Sequence, residues 1–186
     1  MEQTILPIRQ QKQHLRRALS RSALSAEETR LLHERLFSLP ECQSAGSVFI
    51  YVSVPPEPDT RTLISRLLAA GKRVAVPRIE KKGTMSARLI AGLDALKPGR
   101  FSIPEPDAEA PILEQPDLCV VPCLACGRDC TRLGHGGGYY DRYLSGRKTF
   151  SVCLCPPGAL FDRLPSDPHD VSPDVILTPL ETLRRV

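Results

Sequence analysis

Short, unbroken apolar runs set the terms on which this chain can fold. Val48–Val52 and Leu118–Pro122 are apolar throughout. A strand with one solvated face alternates polar and apolar residues, so such runs mark strands buried on both faces. Arg73–Val76, stopped by Pro77, then Met85–Ile90, Phe150–Leu154 and Val175–Leu177 extend the set. Between them lie helical patterns. Pro7–Ala23 carries Leu15, Ala18 and Leu19 as an apolar stripe, and the stretch from Ser25 to Leu39 carries Leu31, Leu32, Leu36 and Leu39. Ser25-Ala26-Glu27-Glu28 is a capping box. Gly71 stands where the helix Thr60–Ala70 needs a left-handed cap. Pro98–Pro116, rich in proline and acidic residues, reads as an ordered loop over the surface. Strands alternating with helices predict an α/β fold, a three-layer sandwich with a largely parallel central sheet flanked by helices. At 186 residues the chain suits one domain spanning 1–186. Ligands in such sheets sit beyond the carboxyl ends of the strands. The loops after Val52, after Val121 and after the penultimate strand are therefore expected to meet at one crevice.

One of those regions is dense in glycine: Arg132-Leu133-Gly134-His135-Gly136-Gly137-Gly138-Tyr139-Tyr140-Asp141. Glycine uncovers backbone N–H groups and tolerates positive φ, so the loop can wrap an anion. Tyr139–Leu144 reads as the helix that follows, adding a positive dipole end. No Gly-Lys-Ser/Thr follows, and the third glycine falls too early for a dinucleotide fingerprint. A plain turn needs fewer glycines and no flanking Arg132 and Asp141, so a phosphate site is the better reading. Lys12 and Arg16, four apart, share a helix face that is otherwise a solvated basic surface. Glu57 lies in a loop after a buried strand, where functional residues concentrate, or is a solvent-exposed turn acid. His169-Asp170 precedes the last strand, either as a turn signal or as a metal-binding carboxylate.

The net charge of +4 is too small to imply nucleic acid and fits a polyanionic small molecule. Met1–Gln13 lacks the apolar core of a signal peptide, and no apolar run is long enough to span a membrane. Seven cysteines, an odd count, then point to a reducing cytoplasm rather than a disulfide framework. Cys119-x3-Cys123-x2-Cys126 copies the spacing of a radical S-adenosylmethionine cluster site, with Cys130 following. Cys119 lies inside an apolar strand, however, and too little chain remains for the barrel such a motif serves. Cys153-x-Cys155 puts two thiols on one strand face and reads as packing. The expectation is of free thiols with no stoichiometric iron or zinc.

The sequence resembles the 5-formyltetrahydrofolate cyclo-ligase, or 5,10-methenyltetrahydrofolate synthetase, family nearly end to end. The likeness rests on Lys12-x3-Arg16, Tyr51-x-Ser53 with Glu57 and Thr60, and Gly99-x-Phe101-x-Ile103-Pro104-Glu105-Pro106. It continues through Val121-Pro122, Arg132 to Asp141, Leu164-Pro165, His169-Asp170 and Asp174. The resemblance implies a cyclo-ligase that forms a C–N bond, using ATP and Mg²⁺ to turn 5-formyltetrahydrofolate into 5,10-methenyltetrahydrofolate through an iminium phosphate. It implies that Lys12, Arg16 and Arg132 are catalytic and bind ATP together with Leu133, Gly134, His135, Gly136, Gly137, Gly138, Tyr139 and Tyr140. Glu57, His135, Gly136, Gly137, Gly138 and Tyr139 would contact the folate, and Asp141 and Asp170 would hold Mg²⁺. The expected partners are small molecules, not nucleic acid or membrane, for a cytoplasmic monomer or weak homodimer. Cys126-Gly127 and Cys130 stand where the family usually has Phe-Asp and a glycine. Pro58 replaces a β-branched residue, and His135 a tyrosine or basic one. A nucleotide-binding relative without the folate reaction, and a thiol or metal module, are the alternatives from other classes.

Overall fold

Strand residues of alternate parity feed two separate cores. Val48, Ile50, Val74, Val76, Leu118, Val120, Val152 and Leu154 belong to one; Phe49, Ala75, Cys119, Val121, Cys153 and Ile176 belong to the other. Successive side chains on a strand point to opposite faces, so this split is the signature of a sheet covered on both sides. The structure, a computed structural model, describes residues 6–19 and 23–186. Its elements run α1 (Ile8–Ala18), α2 (Ala26–Ser38), α3 (Pro40–Ser44), β1 (Ser47–Ile50), α4 (Arg61–Ala69), β2 (Arg73–Ile79), β3 (Met85–Ile90), β4 (Lys97–Pro98), β5 (Pro104–Glu105) and β6 (Leu118–Val121). They continue through β7 (Ala125–Gly127), β8 (Arg132–Leu133), α5 (Tyr139–Leu144), β9 (Phe150–Leu154), β10 (Leu160–Phe161), β11 (Val175–Leu177) and β12 (Thr182–Arg184).

The main sheet has the order β12-β11-β9-β6-β1-β2-β3. Strands β11, β9, β6, β1 and β2 are parallel. The edge strands β3 and β12 run antiparallel to their neighbours. The chain goes from β1 to β2 on one side and resumes at β6 on the other, which makes the β1–β6 boundary a topological switch point. Helices α2 and α4 cover one face through Leu32, Leu36, Leu63, Ile64 and Leu67. The other face is covered by α1 and α5 together with a small sheet of order β10-β7-β8, so that layer is not purely helical.

Local signals explain most boundaries. Ser25 Oγ accepts from Glu28 N at 3.2 Å while Glu28 Oε2 accepts from Ser25 N at 2.8 Å, closing the capping box. Ser25→Ala should cost about 1 kcal/mol in chemical denaturation; no change would mean the first turn of α2 is held by packing alone. Gly71, at φ +75°, ends α4 in a Schellman turn: its N–H bonds Leu68 O and the N–H of Lys72 bonds Leu67 O. Two expectations fail at element ends. Helix α1 stops at Ala18, not Ala23, because Leu19 turns extended and packs into the second core; Ser20–Ser22 lie outside the described residues. Strand β2 passes through Pro77 to Ile79. Its pairing with β1 ends at Ala75, so on that side no ladder bond is lost to the missing proline N–H.

The stretch read as a surface loop, 98–116, does more than connect. It contains the β4–β5 pair, and its later part lies along the outer edge of β3. There Leu89 N donates to Pro111 O and Leu113 N to Ala87 O. At the opposite edge Arg184 pairs with Glu41, and Arg185 Nη2 donates to Asp174 at 2.5 Å.

Candidate active site

A cavity of about 660 Å³ opens at the carboxyl ends of β1, β2 and β6, across the switch point, with Asp167 and Asp170 reaching it from the loop between β9 and β11. Each candidate residue of the sequence reading lines it: Lys12, Arg16, Glu57, Arg132, Leu133, Gly134, His135, Gly136, Gly137, Gly138, Tyr139, Tyr140, Asp141 and Asp170.

The loop that carries Glu57 is closed at its base by reciprocal bonds. Ser53 N donates to Thr60 Oγ1 at 2.9 Å, Thr60 N donates to Ser53 Oγ at 3.1 Å, and Thr60 Oγ1 donates to Tyr51 O at 2.6 Å. This explains why Tyr51, Ser53 and Thr60 travel with Glu57 in the sequence. The Glu57 carboxylate caps its own turn, accepting from Val54 N at 2.9 Å. Its other oxygen meets His135 Nε2 at 3.2 Å, so the two loops touch across the cavity mouth.

The glycine loop joins β8 to α5 with Gly136 at φ +99° and Gly138 at +65°, conformations that an L side chain rarely adopts. Its carbonyls are taken by guanidinium groups. Arg16 Nε donates to Gly134 O at 2.8 Å, and Arg142 Nη2 donates to Gly137 O at 2.6 Å. The amides of Gly134–Gly138 donate to no backbone acceptor among the described residues. Bound carbonyls beside free amides make an anion nest.

Three ion pairs, made by two cations, form the floor. Arg132, with its side chain 4% exposed, donates from Nη2 to Asp141 Oδ1 at 2.7 Å and from Nη1 to Pro122 O at 3.1 Å. Asp141 Oδ1 also accepts from Val171 N at 3.2 Å. The Nε of Arg132 and the hydroxyl of Tyr140 are buried without a partner. Lys12 is 6% exposed, which corrects the expectation of a solvated face. Its ammonium donates to Asp167 Oδ2 at 2.8 Å and to Asp170 Oδ2. Asp170 Oδ2 further accepts from Asp167 N at 2.7 Å. Burial pushes the Asp170 carboxyl up, but the Lys12 and Asp167 donors outweigh it and hold it below its ordinary range. A single buried ammonium would be costly, and the two acids opposite it are what make its burial tolerable.

Sequence reasoning misses Asp167, which shares Lys12 with Asp170. Asp167-x2-Asp170 is a polar turn whose meaning appears only once α1 packs over it. It also misses the apolar wall of Val54, Pro77, Ile79, Met85 and Ile103, partly because β2 is expected to stop at Pro77.

The geometry can be set beside known proteins. The profile of the 5-formyltetrahydrofolate cyclo-ligase family matches residues 3–179. A 5-formyltetrahydrofolate cyclo-ligase of Mycolicibacterium smegmatis is 32% identical over 146 residues, covering 73% of this chain and 75% of that protein. One from Escherichia coli is 29% identical over 171 residues, covering 86% and 94%. Among solved structures, the 5,10-methenyltetrahydrofolate synthetase of Aquifex aeolicus superposes with a TM-score of 0.76 at 31% identity, covering 96% of this chain and 91% of that one. No described helix is long and apolar enough to cross a membrane. A switch-point cavity with this cation and glycine arrangement, and a family profile matched over nearly the whole chain, lead to one assignment: the chain belongs to the 5-formyltetrahydrofolate cyclo-ligase family of enzymes.

Proposed function

We propose that this chain catalyses the ATP- and Mg²⁺-dependent cyclisation of 5-formyltetrahydrofolate to 5,10-methenyltetrahydrofolate, releasing ADP and phosphate. The observation that carries the reading is the convergence, in one cavity, of the cations Lys12, Arg16 and Arg132, a nest of free amides, the carboxylates of Asp141 and Asp170 and an apolar wall. The first three suit a triphosphate with its metal, and the wall suits a flat heterocycle.

A formamide oxygen is a poor leaving group, so the reaction needs it phosphorylated. The γ-phosphoryl group moves from ATP to the formyl oxygen, giving an iminium phosphate on N5. N10 then attacks that carbon and gives up its proton to solvent as a C–N bond forms, and the C–O bond breaks to release phosphate. Lys12 and Arg16 neutralise the phosphoryl oxygens during transfer, and Arg132 holds the chain beside the nest. The amides of Gly134–Gly138 cradle the phosphates. Glu57 takes a pair of N–H bonds from the pterin, with His135 and Tyr139 alongside. Reaction in the cytoplasm, by a monomer or weak homodimer acting on small molecules only, completes the reading.

The acids fit Mg²⁺. In Asp141 the bonds from Arg132 and Val171 go to Oδ1, and in Asp170 those from Lys12 and Asp167 go to Oδ2. Each thus keeps an oxygen that takes none of these bonds, and Mg²⁺ is commonly held by one or two carboxylates with phosphates and water. Bound there, the ion would neutralise phosphate oxygens. Asp141→Asn and Asp170→Asn should each raise the Mg²⁺ concentration for half-maximal rate. Asp141→Asn should also lower stability, since it weakens the pair with Arg132. Unchanged Mg²⁺ dependence in both variants would remove them from the metal site.

The direct test mixes the protein with ATP, Mg²⁺ and 5-formyltetrahydrofolate and follows methenyltetrahydrofolate absorbance. Absorbance that grows only with all three present is expected. ATP binding without it would mean a nucleotide-binding relative that has lost the folate step.

A further inference from the structure

All seven cysteines are free and buried, and three of them meet at one point. The thiol sulfurs of Cys123, Cys126 and Cys155 lie within 4.8 Å of one another. Cys126 Sγ lies 3.4 Å from Cys153 Sγ. The fold dictates this convergence. Strands β6 and β9 are parallel neighbours with Val121 opposite Cys153. Cys123 and Cys155 follow those two positions by the same step of two, so both leave the sheet side by side and on one face. Strand β7 then folds back and brings Cys126 over them. Cys123-x2-Cys126, read as a look-alike of a cluster motif, and Cys153-x-Cys155, read as packing, come together in space.

The dimensions of the three-thiol group are those of a ligand set. Tetrahedral thiolates about 2.3 Å from a metal sit about 3.8 Å apart, inside the 4.8 Å within which these three sulfurs lie. The sulfurs are too far apart for an existing disulfide, whose S–S length is about 2.05 Å. A small cavity of about 180 Å³, walled by Cys123, Glu57, Pro58 and Pro157, leads to the cluster from outside.

We propose that Cys123, Cys126 and Cys155 form a buried structural site for one thiophilic divalent ion of the zinc type. Three sulfur ligands within 4.8 Å of one another select such an ion over Mg²⁺, which takes oxygen. Binding deprotonates the thiols and releases their protons to solvent. None of the site's three ligands lines the phosphate cavity, although Glu57 borders both, so metal binding is measured apart from the proposed reaction. It reverses the sequence expectation of no stoichiometric zinc.

The test uses the full chain, purified under reducing conditions without chelator. Elemental analysis should find about one zinc per chain, retained through gel filtration. The metal-stripped protein titrated with Co²⁺ should develop thiolate-to-cobalt charge-transfer absorption that saturates at one equivalent and is displaced by Zn²⁺. Cys126→Ser with Cys155→Ser should weaken Co²⁺ binding at least tenfold, whereas Cys42→Ala, on the opposite core face, should not. If the double variant does not fold, the wild-type cobalt titration still decides, because only sulfur ligation gives the charge-transfer band. Absent metal and an absent cobalt band would overturn the proposal. So would binding that survives the double substitution, or a Cys126–Cys153 disulfide found in place of metal.

Discussion

Arg132→Ala is expected to lower the unfolding free energy by about 3 kcal/mol and to weaken ATP binding by about 1.5–3 kcal/mol. The two losses have different origins. The first arises because Asp141 keeps its charge, with a side chain only 25% exposed, after its partner is gone. The second arises because a cation leaves the base of the nest. A second substitution separates them. Adding Asp141→Ala removes the stranded carboxylate and should restore part of the stability, yet ATP affinity should stay low. Chemical denaturation and calorimetry with ATP measure the two quantities. Unaltered stability would show that the pair is not felt as buried, and unaltered ATP affinity in a folded variant would remove Arg132 from the phosphate site.

Lys12→Met should lower kcat by about 100-fold, the scale of one lost transition-state donor, equivalent to about 2.7 kcal/mol. The KM for ATP should move far less, because charge on the transferring oxygens is greatest in the transition state. Stability pulls the other way in size. Asp167 is 40% exposed and Asp170 22%, so losing their shared Lys12 is partly offset by water and by the donors Asp170 keeps in Ser166 Oγ and Asp167 N, and should cost about 1–2 kcal/mol. Catalysis, not folding, should therefore dominate the phenotype. A variant with full turnover would mean that the ammonium only docks α1 on Asp167 and Asp170.

The parallel interior is legible in the sequence because burial on both faces leaves no place for polar residues. Strands β1, β6, β9 and β11 are therefore readable as apolar runs. The short strands are not. β7, β8, β10 and β12 have two or three residues each, of mixed character, and exist because a partner strand is already in place. The glycine loop is equally legible, since few turns need so many residues free of a Cβ. The surroundings of Lys12 are not, because its burial depends on an acid 155 positions away. The thiol cluster shows the same limit. Each cysteine pair is ambiguous alone, and only the register of β6 against β9 joins them.

The two sheet edges bear on how the chain behaves in a crowd. An uncovered flat edge offers a row of unpaired N–H and C=O groups on which another molecule can add a strand. Here the 111–113 stretch occupies part of the β3 edge, with the Pro111 carbonyl accepting and no proline N–H to offer onward. Arginines 184 and 185 place charge at the β12 edge. Neither end is an apolar template, so concentrating the folded protein should not by itself seed edge-to-edge aggregates. The proline-rich 98–116 stretch and the arginines at β12 thus act as guards against self-association.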